Sequence, residues 1–208
     1  YGCDPARVIV VGGGSNYGAR PLAGKPYDRQ TALFVGYDFE RKGGLVLLEA
    51  WEQVRRALPE AQLWIVGPKR PVRQMPGVHW LGRIDDRAEL ARRYQEATAF
   101  VLPSIFEPWG HVFFEAMSFG LPCIGSTACA MPEIIRDGEI GLLAETGKAE
   151  PLAAALVSLL GDPQRAEQYG RAANRHVATG HTWDDVVARM APSIEQTVAA
   201  PATLVGAE

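Results

Sequence analysis

The chain has 208 residues, 47% of them apolar, and a net charge of −3, enough for one well-cored domain or two small ones. That mild negative charge excludes the electrostatic footprint of a nucleic-acid binder, and no apolar run is long enough to span a bilayer. The three cysteines, Cys3, Cys123 and Cys129, show neither zinc spacing nor an even, disulfide-framework count, which points to a reducing, cytoplasmic setting.

The chain opens Tyr1-Gly2-Cys3-Asp4, without Met and without the pattern of a signal peptide, so a fragment of a larger protein is expected. A short strand, Arg7–Val11, runs into Gly12-Gly13-Gly14-Ser15-Asn16-Tyr17-Gly18. The glycines imitate a dinucleotide fingerprint, and Asp38 stands about where a ribose-binding acid belongs. That fingerprint needs a helix straight after its glycines. Pro21, Gly24 and Pro26 deny one, so NAD is not the expected ligand.

From residue 31 strands alternate with helical patterns. Thr31–Val35 reads as strand, Gly44–Ala57 as helix, Gln62–Val66 as strand broken by Gly67-Pro68, and Val78–Leu81 as a short strand. Arg87–Glu96 reads as helix, Ala99–Leu102 as strand, Val112–Phe119 as helix and Leu121–Gly125 as strand. A short helix near Glu133–Arg136 and a strand at Gly141–Leu143 come next. Helices near Pro151–Leu160, Pro163–Ala178 and Trp183–Val198 close the chain before a frayed tail, residues 199–208. The fold class is therefore α/β: a Rossmann-like parallel sheet with helices on both faces, followed by C-terminal helices. Right-handed crossovers put the loops after the strands on one rim, where ligands of open sheets bind. Tyr37–Gly43, Gly67–Arg70, Gly82–Ile84 and Ser104–His111 all fall there.

The most informative of these loops reads Pro103-Ser104-Ile105-Phe106-Glu107-Pro108-Trp109-Gly110-His111-Val112-Phe113-Phe114-Glu115-Ala116. A helix start exposes unpaired N–H groups and suits an anion, typically phosphate; Gly110, His111 and Val112 would supply those groups. Carboxylates would repel phosphate, so Glu107 and Glu115 must face donors instead, and sugar hydroxyls are such donors. Phosphate flanked by polyol is a nucleotide sugar. The helix is apolar almost all round and therefore buried, so Glu115 needs a partner or ligand. From periodicity alone, a glutamate satisfied by a structural arginine accounts for it equally well.

This segment resembles the Glu-x7-Glu signature of the retaining GT-B glycosyltransferases of group 1 (family 4). The likeness continues through Pro132-Glu133-Ile134-Ile135-Arg136-Asp137-Gly138 and, upstream, Leu33-Phe34-Val35-Gly36-Tyr37-Asp38-Phe39-Glu40-Arg41-Lys42-Gly43-Gly44. The resemblance implies the C-terminal, donor-binding half of such an enzyme. Residues 1–30 would be an interdomain linker with the first strand and residues 31–198 the nucleotide-sugar domain, the N-terminal acceptor domain being absent. It also implies roles. Glu115 would hold ribose hydroxyls, Glu107 the donor sugar, and Arg41 and Lys42 the departing diphosphate. Backbone around Arg83 and Ile84 would grip the nucleobase, with Gly36 and Gly67 at the same rim. His111 would meet a phosphate or stand as a surface residue. Neither a metal nor another cofactor is implied, since two fixed cations do a metal's work. Asp38-Phe39-Glu40 reads as an acidic lead-in to a helix rather than a metal motif.

One departure stands out. The family has arginine directly after the glycine where this chain has Tyr37, and Arg41 is expected to replace the missing guanidinium. His79, His176 and His181 have no metal spacing and read as structural or solvent-facing. Glu133 reads as a helix-start acid, Asp184 and Asp185 as first-turn acids after a Thr182 cap, and Trp183 as an anchor for the last helix. Three other readings stay open: a nucleotide-sugar epimerase of the same fold, a phosphorylase carrying pyridoxal phosphate on one of Lys25, Lys42, Lys69 or Lys148, and a non-catalytic nucleotide-binding module. Nucleobase, donor sugar, acceptor and membrane association are not legible.

Overall fold

The computed structural model describes residues 8–199 together with Gly2, Asp4 and Pro5. Among them, six strands form one sheet: β1 (Thr31–Val35), β2 (Gln62–Val66), β3 (Val78–Gly82), β4 (Ala99–Leu102), β5 (Cys123–Ser126) and β6 (Gly141–Ala144). Their order is β3-β2-β1-β4-β5-β6, and every neighbouring pair is parallel. The helices are α1 (Gly44–Ala57), α2 (Arg87–Glu96), α3 (His111–Ser118), α4 (Met131–Ile134), α5 (Ala149–Leu160), α6 (Pro163–Ala178) and α7 (Trp183–Ala199).

The strands are apolar along their length because both faces are covered; β4 is buried at all four residues. Chain direction reverses across the sheet between β1→β2 and β3→β4, so right-handed crossovers place α1 on one face and α2 and α3 on the other. α5 packs against α1, and α6 against α3. The core is aromatic at its centre. Trp51, Tyr94, Phe34, Phe100, Phe113 and Phe114 are all fully buried.

The expected strand at Arg7–Val11 does not form in its described part. Val8, Ile9 and Val10 carry no strand pairing and are more than half exposed. Arg7 lies outside the described residues, as does the expected tail from residue 200 on. The segment after Val11 is bound to the domain. Ser15 pairs with Thr182 in an isolated bridge. The Ser118 carbonyl accepts the Arg20 N–H at 2.8 Å, and the buried Tyr27 donates its hydroxyl to the Gly120 carbonyl at 3.0 Å.

Candidate functional site

In a sheet of this strand order the chain leaves β1 and β4 in opposite directions, and a crevice opens between their carboxyl ends. Residues 36–43 and 103–110 fill that crevice. They are stitched together by the Ile105 N–H, which donates to the Arg41 carbonyl at 3.0 Å. Gly43 makes the approach possible: its φ is 75°, and a side chain there would run into the Pro103 carbonyl.

This approach brings the sequence-predicted charges together. Lys42 Nζ is ion-paired with Glu107 Oε2, both side chains being mostly buried, and the Arg41 guanidinium lies 4.0 Å from the same oxygen. Both cations meet Oε2, so among the described residues Glu107 Oε1 is left for another donor. Arg41 is aimed by two further bonds, to Asp38 Oδ2 at 2.9 Å and to the Phe106 carbonyl at 2.8 Å. The Arg41 bonds in turn hold the Asp38 carboxyl below its ordinary range. Asp38 also accepts the Arg41 N–H at 3.3 Å, which places it in the turn before α1 rather than at the helix start, whose first turn holds no acid. Gly110, with φ 77°, sets the start of α3, so the N–H groups that open the helix point out at the end of the Glu107 loop. Gly110, His111 and Val112 thus stand beside the Lys42–Glu107 pair in the chain as expected, though α3 begins one residue earlier, at His111.

One turn into α3, Glu115 points elsewhere. Its Oε1 accepts from Asn16 Nδ2 at 2.6 Å and its Oε2 from the Tyr94 hydroxyl at 3.2 Å. Among the described residues no arginine satisfies it, so the structural-arginine alternative is set aside. Burial first, and the Glu115 charge second, raise the Tyr94 hydroxyl well above its ordinary range, which keeps it a donor. Glu115 lines a crevice of about 280 Å³ with Asn16, Tyr17, Ile84, Asp85, Arg87 and Leu90. Ile84 and Glu115 thus line one crevice. Arg83 is not among the lining residues: it is exposed, paired with Asp85, and stacked 5.4 Å from the Tyr37 ring.

Gly36 and Gly67 frame the rim. The Gly36 N–H donates to the Val66 carbonyl at 2.9 Å, and a side chain on Gly67 would run into the Gly36 carbonyl. His111 is exposed, with its ring 5.6 Å from Trp183, whose indole donates to Asn16 Oδ1 at 3.1 Å. His176 and His181 lie with rings 4.3 Å apart, and His181 Nδ1 donates to the Gly13 carbonyl at 3.2 Å. His79 is exposed on β3 and Glu133 exposed on α4. Asp185 closes a capping box with Thr182, accepting its N–H at 2.9 Å and its hydroxyl at 2.6 Å. Lys25 donates to three backbone carbonyls and Lys42 is paired, so neither presents a free amine for pyridoxal phosphate.

Sequence reasoning missed Asn16 and Tyr94, the two groups that orient Glu115. The residues before 30 read as a linker, which hid a side chain that returns to the rim. Tyr94 carried a signal: in the strongly charged pattern of α2 it is the one residue fully buried.

The family model described as glycosyl transferases group 1 matches residues 29–162. The phosphatidyl-myo-inositol mannosyltransferase of Mycobacterium leprae is 36% identical over 190 residues, covering 87% of this chain and 50% of that protein. Among solved structures, sucrose-phosphate synthase from Thermosynechococcus elongatus superposes with a TM-score of 0.78 at 29% identity, over 91% of this chain and 52% of that one. Anabaena HepE in complex with UDP has the same fold, with a TM-score of 0.70 at 19% identity, over 81% of this chain and 49% of that one. The chain spans about half the length of the curated relatives it matches.

Proposed function

This chain belongs to the group 1 glycosyltransferases, and from that premise we propose that it is the donor-binding half of an enzyme moving a sugar from a nucleoside diphosphate to an acceptor hydroxyl. The observation that carries this reading is the convergence of Lys42, Arg41 and Glu107 at the β1/β4 switch point, beside the helix start at Gly110. Fixed cations and helix-start amides together suit a diphosphate. A carboxylate with one oxygen unengaged suits the hydroxyls of the sugar it carries. The Glu115 crevice then takes the nucleoside, ribose on the carboxylate and base against Ile84.

In the reaction we propose, the bond from the anomeric carbon to the β-phosphate oxygen breaks while a bond to the acceptor oxygen forms on the same face. The departing phosphate takes the acceptor's proton. Lys42 and Arg41 stabilise the charge that grows on that phosphate and supply what a metal would otherwise provide. Neither glutamate acts as nucleophile, and the anomeric configuration is retained. The acceptor is assigned to the part of the enzyme this chain does not span, so this polypeptide alone binds nucleotide and transfers little sugar. A cytoplasmic setting fits the unpaired thiols of Cys123 and Cys129.

Calorimetry of this chain with UDP, GDP and ADP tests the reading. Saturable binding of at least one, weakened tenfold or more by Lys42→Ala, supports it. Silence towards all three, or robust transfer by this polypeptide alone, overturns it.

A further inference from the structure

A second cavity, of about 750 Å³, lies along the outer side of α2 and under residues 17–25. It is within the size range of small-molecule sites. Its floor is apolar, formed by the buried Phe119 with Leu22, Ala88 and Ala91. Arg20, Lys25, Arg87 and Arg92 stand around it, and its lining includes no carboxylate among the described residues. In a chain of net charge −3, that is a local inversion of sign.

The partners of these four cations decide which are free to bind. Lys25 Nζ gives its protons to the carbonyls of Tyr94, Gln95 and Ala97 at 3.2, 3.1 and 3.0 Å, closing the C-terminal end of α2. Arg92 reaches Glu89 at 3.1 Å. The other two have no carboxylate partner among the described residues. The Arg20 and Arg87 guanidinium carbons lie 6.0 and 4.8 Å from the centre of one ring, that of Tyr17, and Arg87 gives one N–H to the Asn16 carbonyl. The nearby acids are taken: Asp85 by Arg83, Glu115 by Asn16 and Tyr94. Both line the groove, and guanidinium charge left there without a carboxylate is charge that an anion in the groove would offset.

We propose that this groove binds a small organic phosphate, its anion held by Arg20 and Arg87 and its apolar or aromatic body laid on Phe119, Leu22 and the alanines of α2. Tyr17 and Arg87 also wall the Glu115 crevice, so the occupant is linked to whatever fills that crevice. Only this link rests on the donor reading; the site itself does not.

Calorimetry of this chain with phenyl phosphate, inorganic phosphate and UDP separates these claims. Phenyl phosphate binds saturably, inorganic phosphate at least tenfold more weakly, and Arg20→Gln and Ala88→Glu each weaken phenyl phosphate about tenfold while UDP affinity stays within twofold. Both altered residues are exposed, so folding is retained. Phenyl phosphate binding that ignores both substitutions overturns the site. Equal affinity for inorganic phosphate overturns the apolar floor as a determinant. Binding to anionic phospholipid vesicles without binding to phenyl phosphate replaces the small molecule with a lipid surface and overturns the proposal. UDP affinity unmoved by saturating phenyl phosphate overturns the link alone, and failure of UDP to bind tells against the donor reading while the phenyl phosphate arm stands.

Discussion

At the β1/β4 junction of the strand rim, proposed to take the diphosphate, Arg41, Lys42 and Glu107 come from loops that directly follow two adjacent strands. In the Glu115 crevice, proposed to take the nucleoside, Glu115 is oriented by Asn16, 99 positions earlier in the chain, and by Tyr94 from the helix on its flank. The first arrangement follows from sheet topology: once β1 and β4 pair, their loops meet. The second requires the segment before β1 to return to the domain and stay there. It is kept there by contacts at its edges, including the Ser15–Thr182 bridge and the His181–Gly13 hydrogen bond. The β1/β4 end is therefore rigid by construction, while the Glu115 end depends on how firmly residues 11–20 are held.

The largest expected effect is at the rigid end. Lys42→Ala leaves Glu107, whose side chain is 10% exposed, without its main counter-charge, a loss of about 3 kcal/mol of stability. Adding Glu107→Gln to Lys42→Ala restores most of that stability without restoring nucleotide binding. Chemical denaturation of both variants checks this; equal destabilisation of the single and double variants would show that the pair is not what holds the loops. Arg41→Ala is next. Arg41 is half-exposed and its ties are to Asp38 and the Phe106 carbonyl, so stability changes little while nucleoside diphosphate affinity falls about tenfold. Unchanged affinity would show that Arg41 does not stand in for the guanidinium missing at Tyr37.

At the dependent end, Asn16→Ala removes one of the two bonds that orient Glu115. Affinity for the diphosphate falls about fivefold, the equivalent of about 1 kcal/mol, while a diphosphate lacking the nucleoside binds as before. If both ligands weaken alike, the two ends are one cooperative unit and the contrast between them is wrong.

The same contrast explains how much was legible beforehand. The α/β alternation, the bounds of α1 and α2, and the meeting of Lys42 with Glu107 all follow from local patterns plus one topological rule. The course of residues 8–30 does not. Val8-Ile9-Val10-Val11 has the composition of a strand yet joins neither edge of the sheet, and Val8, Ile9 and Val10 stay exposed, so composition without a partner strand was not enough. Asn16 carries no periodic signal at all, because its position is set by contacts with Glu115 and Trp183, far along the chain. The Arg83 side chain is placed by groups no periodicity reveals: its neighbour Asp85 and the face of Tyr37 hold it outside the crevice that Ile84 lines, while the expected role rested on its backbone.

The smallest effect probes the latch itself. His176 is half-buried beside His181 and near Arg136, and burial first, then those two groups, push it down from 6.5 to about 4; Arg175 and Glu139 line the same recess. Between pH 6.5 and 4 the unfolded chain binds a proton that the folded chain refuses, so stability is full above the upper value and declines as pH falls through the window. Solvent screening of a half-exposed ring keeps this below about 1 kcal/mol. His176→Gln removes the group, so the Tm of the variant relative to wild type rises as pH drops from about 7 to about 4.5, by a few degrees at most. His181, which holds the Gly13 carbonyl, is also lowered by burial. Burial of this histidine pair therefore makes acid costly to the folded domain at the place where the segment carrying Asn16 is held. A Tm difference that stays constant across those pH values would separate the histidine pair from the stability of the latch.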